Sequence, residues 1–167
     1  MQNDQLNVLA INPGSRYLGI AVFVGTELRD WAVKLMGRGK IQNIMSEYIN
    51  QYGIHVIALK KFHPSRTSHG LRNTISSMKG LAKKDGLALH EYSIDEVKEA
   101  LLSQKRKNKR LLMEEVVARY PFLLNELHQE EKNKNPYLIR MFETVGISSV
   151  CLSQLDTSAQ KVGKPNK

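Results

Sequence analysis

The chain has 167 residues, 41% of them hydrophobic, and it carries a formal net charge of +9. This size and composition predict one globular domain, and no run approaches the ~20 apolar residues of a membrane span, so no membrane partner is expected. The excess of cations favours nucleic acid as a partner, although a merely cationic soluble protein would show the same balance.

The first part of the chain predicts an antiparallel meander of three strands. Apolar runs at residues 7–12 and 17–24 flank the turn Pro13-Gly14-Ser15, and residues 27–35 alternate between polar and apolar side chains. The connection Gly25-Thr26-Glu27 is short enough to join neighbouring antiparallel strands.

Helices and two further strands are predicted to follow, and Gly53 and the Ser93–Glu96 capping box set two of their boundaries. The predicted ranges are a helix ending at Gly53, a strand at 55–59, a helix at 67–85, a strand at 87–92, helices at 93–102 and 109–120, and a last helix from Asn135-Pro136. The polar stretch 126–134 is predicted either to cover a cleft or to form a mobile loop. Residues 156–167 are predicted to form a flexible basic tail.

Cys151 is the single cysteine, which excludes an intrachain disulfide and fits a reducing, cytoplasmic location. Its small and apolar neighbours predict a packing role rather than a nucleophilic one.

The strand and turn from Val8 to Phe23, centred on Asn12-Pro13-Gly14-Ser15, resemble the first strand pair of the RuvC-type Holliday-junction resolvases. That resemblance implies an α/β, ribonuclease H-like fold over residues 1–155. The expected sheet is mixed and five-stranded, with the antiparallel meander beside two parallel strands and helices flanking it. The order of the predicted elements agrees with this architecture.

The resemblance also implies where a metal centre would lie. In the family, four acids at two strand ends and on the last helix hold Mg²⁺, and these positions map onto Asn12, Lys60, Tyr137 and Arg140. Because two-metal cleavage needs several converging carboxylates, the mapping implies no intact catalytic residue, no metal and no cofactor. The formal charge of the cleft would change from about −4 to about +2, which favours a phosphate over Mg²⁺. Alternatively, Lys60 and Arg140 simply point to solvent.

Two basic segments are the predicted nucleic-acid contacts. The loop 60–66 combines cations with Phe62 and His63, and residues 105–110 hold five cations in six positions. The full set of predicted contacts is Arg16, Lys60, Lys61, His63, Arg66, Arg72, Lys105, Arg106, Lys107, Lys109, Arg110 and Arg140.

The first hypothesis is therefore a catalytically inactive Holliday-junction resolvase homologue that binds branched or duplex DNA, with RNA left open and a homodimer implied by the family. The second is an active Mg²⁺-dependent crossover-junction endonuclease that uses displaced acids, chosen from Glu27, Asp30, Glu91 and Glu143. The third is an interaction protein that keeps the fold but has no nucleic-acid partner.

Overall fold

A five-stranded mixed sheet forms the centre of the structure, which is a computed structural model that describes residues 5–37, 40–103, 106–133 and 137–162. Its strands are β1 (Asn7–Pro13), β2 (Tyr17–Val24), β3 (Glu27–Leu35), β4 (Val56–Lys60) and β5 (Ala88–Tyr92). The order across the sheet is β3-β2-β1-β4-β5. Neighbours β1, β2 and β3 are antiparallel, while β4 is parallel to both β1 and β5, as the sequence predicts.

Six α-helices and two short 3₁₀ turns connect or flank the strands in the described residues. The helices are α1 (Ile41–Tyr52), α2 (His69–Lys84), α3 (Ile94–Leu101), α4 (Lys109–Arg119), α5 (Leu124–Lys132) and α6 (Ile139–Val162). Local signals set several of their ends. Gly53 closes α1 in the left-handed conformation with φ of 56°, and Ser93 and Glu96 form the predicted capping box at the start of α3.

Alternation along the central strand divides the core into two layers. Val8 and Ala10 of β1 face a cluster that includes Phe142 of α6, while Leu9 and Ile11 face the cluster that holds Met45 of α1. The sheet therefore lies between α1 and α2 on one side and the C-terminal helices on the other. Within the described ranges, no helix combines the length and the apolar character that crossing a membrane requires.

Cys151 packs fully buried in the cluster under α6, as the sequence predicts. Burial raises the pKa of its thiol, because a thiolate there would lose its hydration.

The polar stretch 126–134 is where the structure departs most from the sequence prediction. Most of it is the helix α5, anchored by the buried Leu127, rather than a loop. The buried Glu130 accepts hydrogen bonds from the backbone N–H of Tyr137 (3.0 Å) and of Leu138 (2.6 Å). This carboxylate thus satisfies N–H groups at the start of α6 that the helix itself cannot bond.

The C-terminal end of α6 also differs from the sequence prediction. The predicted start at Asn135-Pro136 lies outside the described residues, and the helix is described from Ile139. It continues through residues 156–162, which the sequence assigns to the tail. Residues 163–167 lie outside the described residues.

Candidate nucleic-acid interface

The register of the two central parallel strands brings Asn12 and Lys60 together. Ile11 of β1 pairs with Leu59 of β4, so the next residue of each strand lies at the same edge of the sheet. Helix α6 crosses β1 and β2 above this edge and adds Arg140 and Glu143, which lie one turn apart. We call these four residues the strand-end cluster.

Glu143 contacts two other side chains of the strand-end cluster. Its Oε2 lies 3.2 Å from the Nζ of Lys60 and accepts a hydrogen bond of 3.2 Å from the Nδ2 of Asn12. The same amide nitrogen of Asn12 also donates to the backbone carbonyl of Arg140, at 3.4 Å. Asn12 is fully buried and Glu143 is only 6% exposed, so the carboxylate is held almost out of water beside one ammonium group. That pairing offsets its charge where solvent cannot.

Arg140 lies against the turn between β1 and β2. A Cβ added to Gly14 would come within 2.6 Å of Nη1 of Arg140, so a larger residue at position 14 would displace the guanidinium. Arg140 makes no ion pair within the described residues. The cluster therefore holds two cations and one carboxylate, and its positive charge is smaller than the sequence mapping implies.

Tyr137, which the sequence places at one of the acidic positions, lies outside the cluster. Its hydroxyl donates to the backbone carbonyl of Val33 at 3.1 Å, and its ring packs edge-on against Tyr17. The α6 side chains that reach the strand ends are Arg140 and Glu143, one turn later than the mapping to Tyr137 and Arg140. The three-residue spacing of Arg140 and Glu143 was visible in the sequence, but the apolar stripe of α6 does not fix the helix rotation well enough to choose it.

The residues of the cluster do not fit a divalent metal ion. Glu143 is the one carboxylate present and is already paired with Lys60, while Asn12 offers only a neutral Oδ1 that has no hydrogen-bond partner among the described residues. One amide oxygen cannot offset the charge of Mg²⁺. Across the described residues, no three His, Cys, Asp or Glu side chains converge on a point.

The other candidate acids are engaged elsewhere. Glu27 pairs with Arg29 at 2.8 Å, and Glu91 pairs with Lys79 at 2.6 Å. Asp30 accepts a hydrogen bond of 2.9 Å from the hydroxyl of Tyr52. Burial and this carboxylate raise the pKa of Tyr52 to about 12. Of the four acids proposed from sequence, only Glu143 contacts Asn12 and Lys60 in the strand-end cluster.

A groove of about 530 Å³ opens beside the cluster and gathers cations from distant parts of the chain. We call it the basic groove. It is formed by the loop between β4 and α2, the start of α3 and the start of α4. Its cationic and imidazole side chains are Lys60, Lys61, His63, Arg66, Lys98 and Lys109, and the acids Asp95, Glu96 and Glu143 also line it, so the five Lys and Arg residues exceed the three acids by two formal charges. Lys98 was not expected from sequence, where it has the pattern of an ordinary helix-surface residue. Phe62 also lines the groove, with the Nζ of Lys60 4.9 Å from its ring centroid.

No protein-family model and no curated protein matches the sequence. Among solved structures, RuvC from Thermus thermophilus superposes with a TM-score of 0.64 at 16% identity, over 91% of this chain and 98% of that one. A complex of Thermus thermophilus RuvC with Holliday junction substrate gives 0.61 at 16% identity, over 89% and 96%. The fowlpox virus Holliday junction resolvase gives 0.54 at 10% identity, over 89% and 99%. The chain has a ribonuclease H-like fold.

On this ribonuclease H-like framework, the remaining predicted contacts do not form one surface. Arg72 lines a smaller groove of about 290 Å³ on the other side of the β4–α2 loop, and Arg16 lies over the ring of its neighbour Tyr17. Arg106 is exposed, and Lys105 lies outside the described residues.

Two cations of the basic segment 105–110 form ion pairs with acids of the protein. Lys107 pairs with Glu99, and Arg110 pairs with Glu114 at 3.0 Å and with Glu131 at 3.7 Å. Part of the charge predicted to bind nucleic acid is therefore offset within the protein.

Proposed function

We propose that this chain binds branched or duplex DNA without cleaving it. The observation that carries the proposal is the contact of 3.2 Å between Lys60 Nζ and Glu143 Oε2 at the strand ends. An ammonium group on the chain itself offsets the charge of the buried carboxylate, so this position needs no divalent ion. Without a set of carboxylates, the water and the leaving oxygen of a phosphodiester have no pair of metal ions to activate them.

The basic groove supports the nucleic-acid part of the proposal. Lys61, Arg66, Lys98 and Lys109 all line it, and none of them makes an ion pair within the described residues. Arg140, a member of the strand-end cluster, likewise makes no ion pair within the described residues, and its planar guanidinium is suited to a phosphate. Lys60 itself is committed to Glu143, so the phosphate contacts are assigned to its neighbours rather than to Lys60.

The similarity to known structures supports DNA as the class of ligand. Two of the superposed structures are resolvases with Holliday junction DNA, from Thermus thermophilus and from fowlpox virus. At 16% and 13% identity these structures share the fold with this chain. That this chain also binds DNA is our proposal.

The test compares a labelled four-way junction with a linear duplex of the same sequence, by fluorescence anisotropy and on denaturing gels. We expect equal affinity in EDTA and in Mg²⁺ at matched ionic strength, with both strands intact after incubation. Cleavage that is lost on chelation and in Glu143→Gln would overturn the proposal in favour of a metal-dependent endonuclease. The absence of binding to DNA and to an RNA duplex at low salt would favour an interaction protein instead.

A further inference from the structure

A second groove opens at the same end of the sheet and has no charged side chain in its lining. It has a volume of about 490 Å³ and lies between the β1–β2 turn, the segment after β3, and the starts of α1 and α2. Its side chains are apolar (Met36, Ile41, Leu71) and neutral polar (Ser15, Asn73, Thr74). We call it the neutral groove. It shares no lining residue with the basic groove.

Two cationic side chains lie beside glycines that line the neutral groove, although neither cation is itself part of the lining. The guanidinium of Arg140, a member of the strand-end cluster, lies against Gly14. The side chain of Lys40 lies against Gly37, where an added Cβ would come within 3.1 Å of Lys40 Cδ. Both glycines line the groove, and neither cation makes an ion pair within the described residues. The uncharged lining therefore has two cationic side chains next to it, each beside a glycine of the groove wall.

This distribution of charge matches the chemistry of a nucleotide. The base is flat, uncharged and rich in hydrogen-bonding edges, while the phosphates on either side of it are anionic. The groove volume falls within the ~300–1,000 Å³ common for small-ligand sites. Hydroxyl and amide groups from Ser15, Asn73 and Thr74 could contact base edges, and Met36, Ile41 and Leu71 offer apolar surface to the ring.

We propose that the neutral groove takes the base of an unpaired nucleotide in a bound nucleic-acid strand, with Arg140 and Lys40 contacting the phosphates that flank it. The inference rests on the proposed function and deepens it by naming the substrate class, namely strands with an unpaired base. A paired base lies within the stack and would first have to be extruded, so fully paired duplex should leave the groove empty.

Two glycines of α2 provide a matched pair of variants. A Cβ at Gly70 or at Gly80 would meet nothing within 4 Å, so both positions have room for a larger side chain. Gly70 lines the neutral groove, whereas Gly80 lies ten residues further along the same helix and lines none of the three grooves. Gly70→Leu should fill the groove, and Gly80→Leu should reproduce any general effect of the substitution on the helix.

The experiment measures affinity for two duplexes that differ only in one unpaired 2-aminopurine in the middle of one strand. The wild-type protein should bind the bulged duplex about fivefold or more tightly than the paired one, and the 2-aminopurine fluorescence should change on binding. Gly70→Leu should bring this preference close to one, while Gly80→Leu should retain it. Lys40→Ala leaves the groove open and should weaken binding of the bulged duplex more than that of the paired duplex.

Equal binding of both duplexes by the wild-type protein, or the same preference in Gly70→Leu and Gly80→Leu, would overturn the inference and leave the proposed function standing. Failure to bind either duplex, or the four-way junction, would instead count against the proposed function. Free adenosine monophosphate serves as competitor. Displacement of the bulged duplex at equal molar concentration would indicate a mononucleotide site and overturn the assignment to a strand.

Discussion

Lys60 at the end of β4 and Glu143 on α6 form an ion pair with 3.2 Å between Nζ and Oε2, and their side chains are only 20% and 8% exposed. Removing one partner of such a pair leaves the other charge buried without compensation. The pair therefore links the stability of the fold to the chemistry of the cleft.

Lys60→Met should lower the free energy of unfolding by about 3 kcal/mol, because Glu143 keeps its burial and loses its counter-charge. The double variant Lys60→Met/Glu143→Gln should recover much of that loss, since no unpaired charge remains. Urea unfolding measures both. Arg29→Met is the control, because its pair with Glu27 is more than half exposed and should change stability by less than about 1 kcal/mol. Equal destabilisation in the single and double variants would contradict the coupling.

The basic groove should carry the salt-dependent part of DNA binding. Lys61→Ala, Arg66→Ala and Lys109→Ala should each weaken junction binding. Each should also reduce the slope of log affinity against log salt by about 0.9 for every phosphate that the protein no longer neutralises. Arg140→Ala should act in the same direction. Arg119→Ala is the matched control, because Arg119 is a helix-surface cation that already pairs with Glu115 at 3.0 Å. A slope as steep in the four test variants as in the wild-type protein would place the interface elsewhere.

Two substitutions should convert the strand-end cluster into a divalent-metal site. Asn12→Asp together with Lys60→Glu would bring two further carboxylates to Glu143 and remove the ammonium group that occupies it. Isothermal titration with Mn²⁺ should show binding by the double variant and none by the wild-type protein or by Asn12→Asp alone. If the wild-type protein bound Mn²⁺ and Glu143→Gln abolished that binding, Lys60 would not have the role assigned to it.

Glu130 should contribute to stability through the start of α6. Glu130→Gln keeps the shape of the side chain but replaces one acceptor oxygen and the negative charge, so it should lower the free energy of unfolding by about 1–2 kcal/mol. Glu131→Gln is the control on the same helix, because Glu131 is 42% exposed and meets Arg110 only at 3.7 Å. Thermal and urea unfolding compare the two variants. Equal effects would mean that the capping contact adds nothing beyond a surface acid.

Short-range signals predicted much of this fold. Gly53, Ser93 and Glu96 set helix ends through contacts within a few residues, and the alternation in the strands fixed which face of the sheet each side chain occupies. The α5 helix was missed because its apolar positions are few and are surrounded by charged residues. What stabilises it is contact with the rest of the fold, including the hydrogen bonds that Glu130 makes beyond it.

The centre of the site could be predicted only in part. The resemblance to the RuvC-type motifs identified Asn12 and Lys60, and the register of β1 and β4 places them at the same edge of the sheet. The partner of Lys60 lies 83 residues away in the sequence. Its identity depends on how α6 is rotated about its axis, and the apolar stripe of the helix is compatible with rotations that differ by a shift of three residues. The neutral groove could not be predicted either, because it arises where four separate segments meet.

Glu130 contacts Tyr137 and Leu138, the two residues immediately before α6, and this contact has a consequence for genetics. These two residues lead directly into the part of α6 that contacts Asn12 and Lys60, so the position of the cleft depends on α5, which lines none of the three grooves. A screen for variants that no longer bind DNA should therefore recover substitutions in α5 as well as substitutions in the cleft. The two groups should differ in the temperature dependence of DNA binding. The α5 variants should bind DNA again at low temperature, whereas the cleft variants should not.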